Sequence, residues 1–133
     1  MKGAYPVLLS PAKEGGYDVY VPDWEINTQG SDLPEAIYMA RDAIGAVGCY
    51  RQDEKRPFPE ASEVQAIHKS HSSIVSLVDV DFDAYRRKYD SRTVRKNLTI
   101  PSWLNEMAEK QGINFSQALQ QSLKDQLGVQ DIL

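Results

Sequence analysis

The sequence is short of almost everything that would mark it as secreted, membrane-bound or catalytic. Cys49 is its only cysteine among 133 residues. No disulfide framework is therefore available, and a reducing cytoplasm is the expected compartment. Within AVGC and its helical surroundings, that thiol is expected to pack rather than react. No apolar run approaches the roughly 20 residues that cross a bilayer, so no membrane association is expected. The first residues, MKGAYPVLLSP, hold one lysine and a short apolar patch interrupted by Pro6. With no small-residue cleavage site after it, a secretory signal is not expected. The two histidines, His68 and His71, sit in HKSH with no cysteine or second ligand pair nearby, too sparse for zinc. Ser10, Ser72 and Ser73 have no histidine-and-acid arrangement around them, and no glycine-rich phosphate loop occurs. No catalytic residue, metal or cofactor is expected.

What is present is ordinary in amount and uneven in distribution. Apolar residues make up 41% and charged residues 26%, the balance of a globular chain. The net charge is −4. Residues 1–90 hold 10 Lys/Arg against 15 Asp/Glu, whereas residues 91–133 hold 5 against 4. An acidic body with a slightly basic tail argues against general adhesion to nucleic acid. It fits a basic partner for the body and a small, local DNA contact for the tail.

The local patterns divide the chain. Residues 4–10 (AYPVLLS) and 17–21 (YDVYV) read as strands joined through PAKEGG, a hairpin; INTQ is a candidate third strand. Asp32 with Glu35 three positions later reads as a capping box, with Pro34 tolerable in the first turn. Leu33, Ile37, Ala40, Ile44 and Val47 then recur at helical spacing. After residue 50 the pattern dissolves into a polar loop broken by Pro57 and Pro59. Residues 74–80 (IVSLVDV) are another strand, and DFDAYRRKYDSR reads as a short charged helix and linker. Residues 1–82 thus form an α+β unit, with a small antiparallel sheet against one long helix. Residues 83–92 link it to a third segment, 93–133.

That segment opens with VRKNLTIP, a strand stopped by Pro101. Val94, Leu98 and Ile100 lie on one side and Arg95, Asn97 and Thr99 on the other. A first helix carries Leu104, Met107 and Ala108, with Trp103 as helix packing; Gly112 ends it, and Ile113 supplies the hydrophobic contact of such a cap. Asn114, with Gln117 three positions on, caps a second helix carrying Phe115, Ala118, Leu119, Leu123 and Leu127. A unit of about 40 residues with a lone strand cannot bury its apolar face or pair its edges alone. A dimer solves both problems. Two copies of the strand pair antiparallel over a core that includes Val94, Leu98, Ile100, Leu119 and Leu123. The other face of the ribbon then carries Arg95, Asn97 and Thr99 twice, and such a ribbon fits the DNA major groove. Arginine and asparagine match guanine and adenine edges there. Lys96, on the apolar side, is expected to snorkel to a phosphate. The N–H groups near Asn114, Phe115 and Ser116 are a second phosphate anchor.

The residues 93–128 resemble a ribbon-helix-helix DNA-binding domain. Upstream, GGYDVYVPDWEINTQGSDLPEAIYMARDAIG resembles the N-terminal domain of HicB-type antitoxins, and VDVDFDAYRRK resembles their connecting segment. The resemblance covers nearly the whole chain, carried by the ordered string PD, TQG, EA and ARDAIG. One departure is Glu25-Ile26-Asn27, where many members have a glycine before the TxG element. The resemblance implies a bacterial or archaeal antitoxin whose first domain is an incomplete RNase H-like sheet. That domain occludes a small basic HicA-type ribonuclease toxin. The ribbon-helix-helix domain, a homodimer through residues 93–133 or a higher oligomer built on it, binds operator DNA and represses its own operon. Asp23, Trp24, Glu25 and Glu35 are the candidate toxin contacts. Asp18, Asp23, Glu25, Asp32 and Glu35 do not read as a nuclease cluster, because Asp32 and Glu35 are accounted for by capping and two-metal chemistry needs convergent carboxylates. The alternative reading is a ligand-sensing repressor with the same tail, and an RNA-processing enzyme is a distant third.

Overall fold

The structure, a computed structural model, describes residues 1–90 and 92–129 of the chain. Ser91, assigned above to the linker, and residues 130–133, at the end of the last segment, lie outside the described residues. The chain forms two compact units, Met1–Ser91 and Arg92–Leu133. Among the described residues no helix is long and apolar enough to cross a membrane.

The first unit is one four-stranded antiparallel sheet with two helices. Strands β1 (Lys2–Pro11), β2 (Tyr17–Val21), β3 (Ile26–Gly30) and β4 (Ile74–Asp81) are ordered β3-β2-β1-β4. The β1–β2 hairpin turns through Gly15 and Gly16, both at positive φ, where a side chain would be strained. Leu9 then faces Val19, and on its other flank β1 takes β4 with Tyr5 opposite Val78. Pro6 is tolerated because β2 pairs with β1 only from Leu8 onward. One flank of β1 therefore carries no strand where the N–H is missing.

Period-two alternation sends Tyr5, Val7, Leu9, Val19, Val21, Val78 and Val80 to one face, where all are buried. Helix α1 (Leu33–Asp53) covers them. It starts as its sequence directs: the Asp32 side chain accepts from Glu35 N–H at 2.8 Å. Glu35 reaches back one residue further than a standard capping box, accepting from Ser31 N–H at 3.2 Å and Ser31 Oγ at 3.1 Å. Its innermost positions are Ala36, Ala40, Ile44, Gly45 and Gly48; the larger Leu33, Ile37 and Val47 flank them, half-buried. Small residues lead because the neighbours come so close. A Cβ on Gly30 would stand 2.4 Å from Ala36 N and 2.6 Å from Ala36 Cα. Backbone stands on both sides of that contact and cannot yield. Gly30→Ala is therefore expected to cost about 1–3 kcal/mol as overpacking, lowering the midpoint of a thermal melt by roughly 4–8 °C per kcal/mol. A melt unchanged from the wild type would show that β3 and α1 are not in this contact.

Helix α2 (Phe82–Tyr89) begins on the Asp81 side chain, which accepts from Ala84 N–H at 3.0 Å. That bond holds the Asp81 carboxyl below its ordinary range. Sequence reading put residues 83–92 in a linker with a short helix; here the helix is packed onto α1. A Cβ on Gly45 would meet the Tyr85 ring at 2.4 Å, and one on Gly48 the Phe82 ring at 2.2 Å. Arg86 donates to Cys49 O at 3.2 Å and Gln52 Oε1 at 3.1 Å, and pairs with Asp53 at 3.1 Å.

The second unit contains α3 (Ser102–Lys110) and α4 (Phe115–Leu127). At Gly112 the chain turns left-handed, φ 68°. Gly112 N–H bonds Glu109 O at 3.0 Å and Ile113 N–H bonds Ala108 O at 3.1 Å, the paired bonds of a Schellman cap. Gly128 repeats the arrangement through Asp125 O and Lys124 O. The expected strand at residues 94–100 is not formed within one chain: residues 92–101 make no ladder. A strand exists only where a neighbour accepts its hydrogen bonds, and the described part of this unit offers none.

Candidate functional site

Two surfaces carry the residues singled out by sequence. In the second unit, Arg95, Lys96, Asn97 and Thr99 are all exposed, in the segment 92–101 that makes no ladder. Asn114 Oδ1 accepts from Gln117 N–H at 3.1 Å, which commits the asparagine to capping α4. The N–H groups of Phe115 and Ser116 stand in the first turn of α4. Ser116 Oγ accepts from Gln120 Nε2 at 3.0 Å.

The apolar residues of this unit are as exposed as the polar ones. Val94, Leu98, Ile100, Trp103, Leu104, Met107, Ile113, Phe115, Leu119, Leu123 and Leu127 are all exposed, and neither helix has a buried residue. Trp103, expected to pack its helix, is exposed like the others. A contiguous stretch this rich in exposed large apolar groups is a surface awaiting a partner.

In the first unit, the four residues considered as contacts for a partner protein separate. Trp24 is corrected: it is 3% exposed and belongs to the core. Its ring meets Tyr5 at 5.3 Å, Phe58 at 5.1 Å and Phe82 at 6.0 Å between centroids, with the Arg51 guanidinium 4.9 Å above it. Aromatic area of that size stabilises the interior more than a rim contact could. Asp23 is engaged too, accepting from Ser62 N–H at 2.9 Å and from the Ser62 hydroxyl, which fastens the loop after α1 to the turn after β2. Glu35 is held by Ser31 as described. Glu25 and Glu35 are both exposed, and Glu25 sits at φ 53°, the left-handed conformation for which glycine is favoured. At the departure noted at Glu25-Ile26-Asn27 the glutamate thus takes up a strained left-handed conformation.

The remaining reactive groups are accounted for locally. The Ser73 hydroxyl hydrogen-bonds those of Ser10 at 2.8 Å and Ser70 at 2.7 Å and closes the loop before β4. Burial pushes the Cys49 thiol up, Arg86 opposing, so it stays protonated and weakly nucleophilic. Tyr89 donates to Asp42 Oδ1 at 3.1 Å, and that bond pushes its hydroxyl up to about 12. His68 and His71 are exposed. Among the described residues no group of three or more His, Cys, Asp or Glu side chains is placed to hold a metal.

A model of the HicB-like antitoxin of bacterial toxin–antitoxin systems matches residues 5–122. The chain belongs to this family. Antitoxin HicB 1 of Photorhabdus laumondii subsp. laumondii is 52% identical over 58 residues, 41% of this chain and 37% of that protein. The match thus spans a little over a third of that relative's length. The fold is shared with a chain of a toxin–antitoxin complex from Streptococcus pneumoniae, at 24% identity and TM-score 0.58, over 95% of this chain and 99% of that one. It is also shared with the antitoxin HicB of Burkholderia pseudomallei, at 21% identity and TM-score 0.54, over 91% and 96%. A chain of a HicA3–HicB3 toxin–antitoxin complex matches at 20% identity and TM-score 0.50, over 59% of this chain and 99% of its own length. The motif string of this HicB-like antitoxin now has a structural account. Asp23 of PD ties down a loop, Gly30 of TQG admits the Ala36 backbone of EA, and Gly45 of ARDAIG admits Tyr85.

Proposed function

We propose that this HicB-like antitoxin divides two tasks between its two units and catalyses no reaction. Met1–Ser91, an incomplete RNase H-like sheet, covers the active site of a small HicA-type ribonuclease toxin and silences it by occlusion. Arg92–Leu133 pairs with a second copy as a ribbon-helix-helix dimer and represses its own operon. The observation that supports this reading best is the exposure of Val94, Leu98, Ile100, Leu119 and Leu123 in a unit whose described residues include no buried one. A second copy covers those side chains and supplies the ladder that residues 94–100 lack, so one event resolves both deficits. Pairing the two strands sets Arg95, Asn97 and Thr99 of both copies on one ribbon face, sized for the major groove. Cytoplasmic operation follows from access to both the operator and the toxin's RNA.

Reading and anchoring separate in a pair of salt titrations on operator and scrambled duplexes. Asn97→Ala removes a bidentate partner for adenine, worth about 1–3 kcal/mol of discrimination. Operator affinity is expected to fall while non-specific affinity stays. Lys96→Ala is expected to weaken both duplexes alike and to flatten the log–log salt slope by about 0.9 per lost phosphate contact. If Asn97→Ala lowers both affinities equally, Asn97 positions the protein and reads no base.

A further inference from the structure

Within Met1–Ser91 helix α1 covers one face of the sheet, and among the described residues no α-helix of this unit covers the opposite face. Alternation and register place its residues without ambiguity. Leu8 stands opposite Tyr20 on β2 and Val75 on β4, and Pro6 opposite Leu77. These five apolar groups form a cross-strand row over the centre of the sheet, where a solvated antiparallel face would carry polar side chains. Pro6 is buried, Leu8 and Val75 are half-buried, and the row ends in the open at Tyr20, 38% exposed, and Leu77, 58% exposed. Around it the same face carries three carboxylates, Asp18, Asp79 and Asp81, against one lysine, Lys2. Arg41 reaches Asp79 from α1.

Two other exposed tyrosines of this unit, Tyr38 and Tyr89, are already used; Tyr50 lies exposed on α1. Tyr85 and Tyr89 stack at 4.6 Å, Tyr89 bonds Asp42, and Lys88 lies over Tyr38 and Tyr89. That cluster holds α2 on α1. The sheet row is engaged in no such packing of helix on helix.

We infer that this open sheet face, centred on Tyr20 and Leu77, is the surface on which the toxin docks. An apolar centre within an acidic rim is the anatomy of a protein interface and selects a partner with the complementary arrangement, an apolar patch ringed by Lys and Arg. Carboxylates outnumber cations on this face, Asp18, Asp79 and Asp81 against Lys2 and Arg41, which disfavours a nucleic acid as the occupant. This inference rests on the toxin-neutralising reading and adds to it the face that is used.

The experiment uses the full-length chain and, as probe, the small basic protein encoded beside its gene, with affinity measured by titration and association by stopped flow. Leu77→Arg and Tyr20→Ala alter exposed positions, so the thermal melt should not move, and each is expected to weaken binding at least tenfold. Asp18→Lys should slow association and flatten its salt dependence. Tyr38→Ala, on the helix side, should bind within about twofold of the wild type. Wild-type affinity in both Leu77→Arg and Tyr20→Ala overturns the assignment of this face and leaves toxin binding intact. A wild-type chain that does not bind the probe overturns the toxin-neutralising reading, and this surface with it.

Discussion

Leu98→Asp is expected to convert the protein to a monomer and abolish promoter binding. The discrimination comes from the position itself. In the single chain Leu98 is 65% exposed, so an aspartate there costs the monomer nothing. In the paired ribbon the same side chain enters the apolar core, and by two-fold symmetry it enters twice. An ionised carboxylate without a partner in that environment costs several kcal/mol, enough to remove the assembly at micromolar concentrations. Sedimentation should show monomers, and a mobility-shift assay on the promoter should show no complex. The first unit should melt as in the wild type, since none of its buried residues lies beyond Phe82. A Leu98→Asp chain that still dimerises through residues 92–133 would contradict the proposed packing.

Cutting the chain after residue 91 is expected to separate the two activities completely. Residues 1–91 contain the whole buried core and helix α2, and should melt cooperatively, bind the toxin and restore growth in a co-expression assay. They should show no affinity for the promoter, having lost every candidate base contact. Residues 92–133 should do the reverse. The cut belongs at 91 because α2 carries Tyr85 and Arg86 against α1. A fragment ending at 82 uncovers Gly45 and leaves Gln52 and the Cys49 carbonyl without their donor. If residues 1–91 melt cooperatively and the toxin stays active, the two tasks are not divided in this way.

Much of the architecture was legible in the sequence because it is set locally. The Pro- and Gly-rich turn made the hairpin, Asp32 and Asn114 opened their helices, and Gly112 with Ile113 closed one. Each of these needs only residues within a few positions of one another, so spacing alone identifies them. The alternation of Val94 to Ile100 was equally readable, but its meaning required a second observation, that nothing in the unit covers it.

Other features depended on partners far along the chain. Trp24 in an acidic loop looked available to a partner protein, yet Tyr5, Phe58 and Phe82, drawn in from three other segments, enclose it. The glycines at 45 and 48 carry no periodic signal, since an absent side chain marks a face only when its neighbour is known. The sequence marked α2 as a short charged helix within a linker, whereas its few aromatic contacts decide where it sits. The open sheet face is the clearest case. Leu8 and Val75 are 67 positions apart, and whether they share a face with Tyr20 depends on the strand register, where a one-residue slip would reverse every side chain. By itself the sequence determined the elements of the first unit, the helix caps and the alternation of Val94 to Ile100, because those are short-range consequences of backbone conformation and period. Only the tertiary structure decided which apolar groups are core and which are left outside, because burial is set by the register and close approach of segments that the chain brings together from a distance.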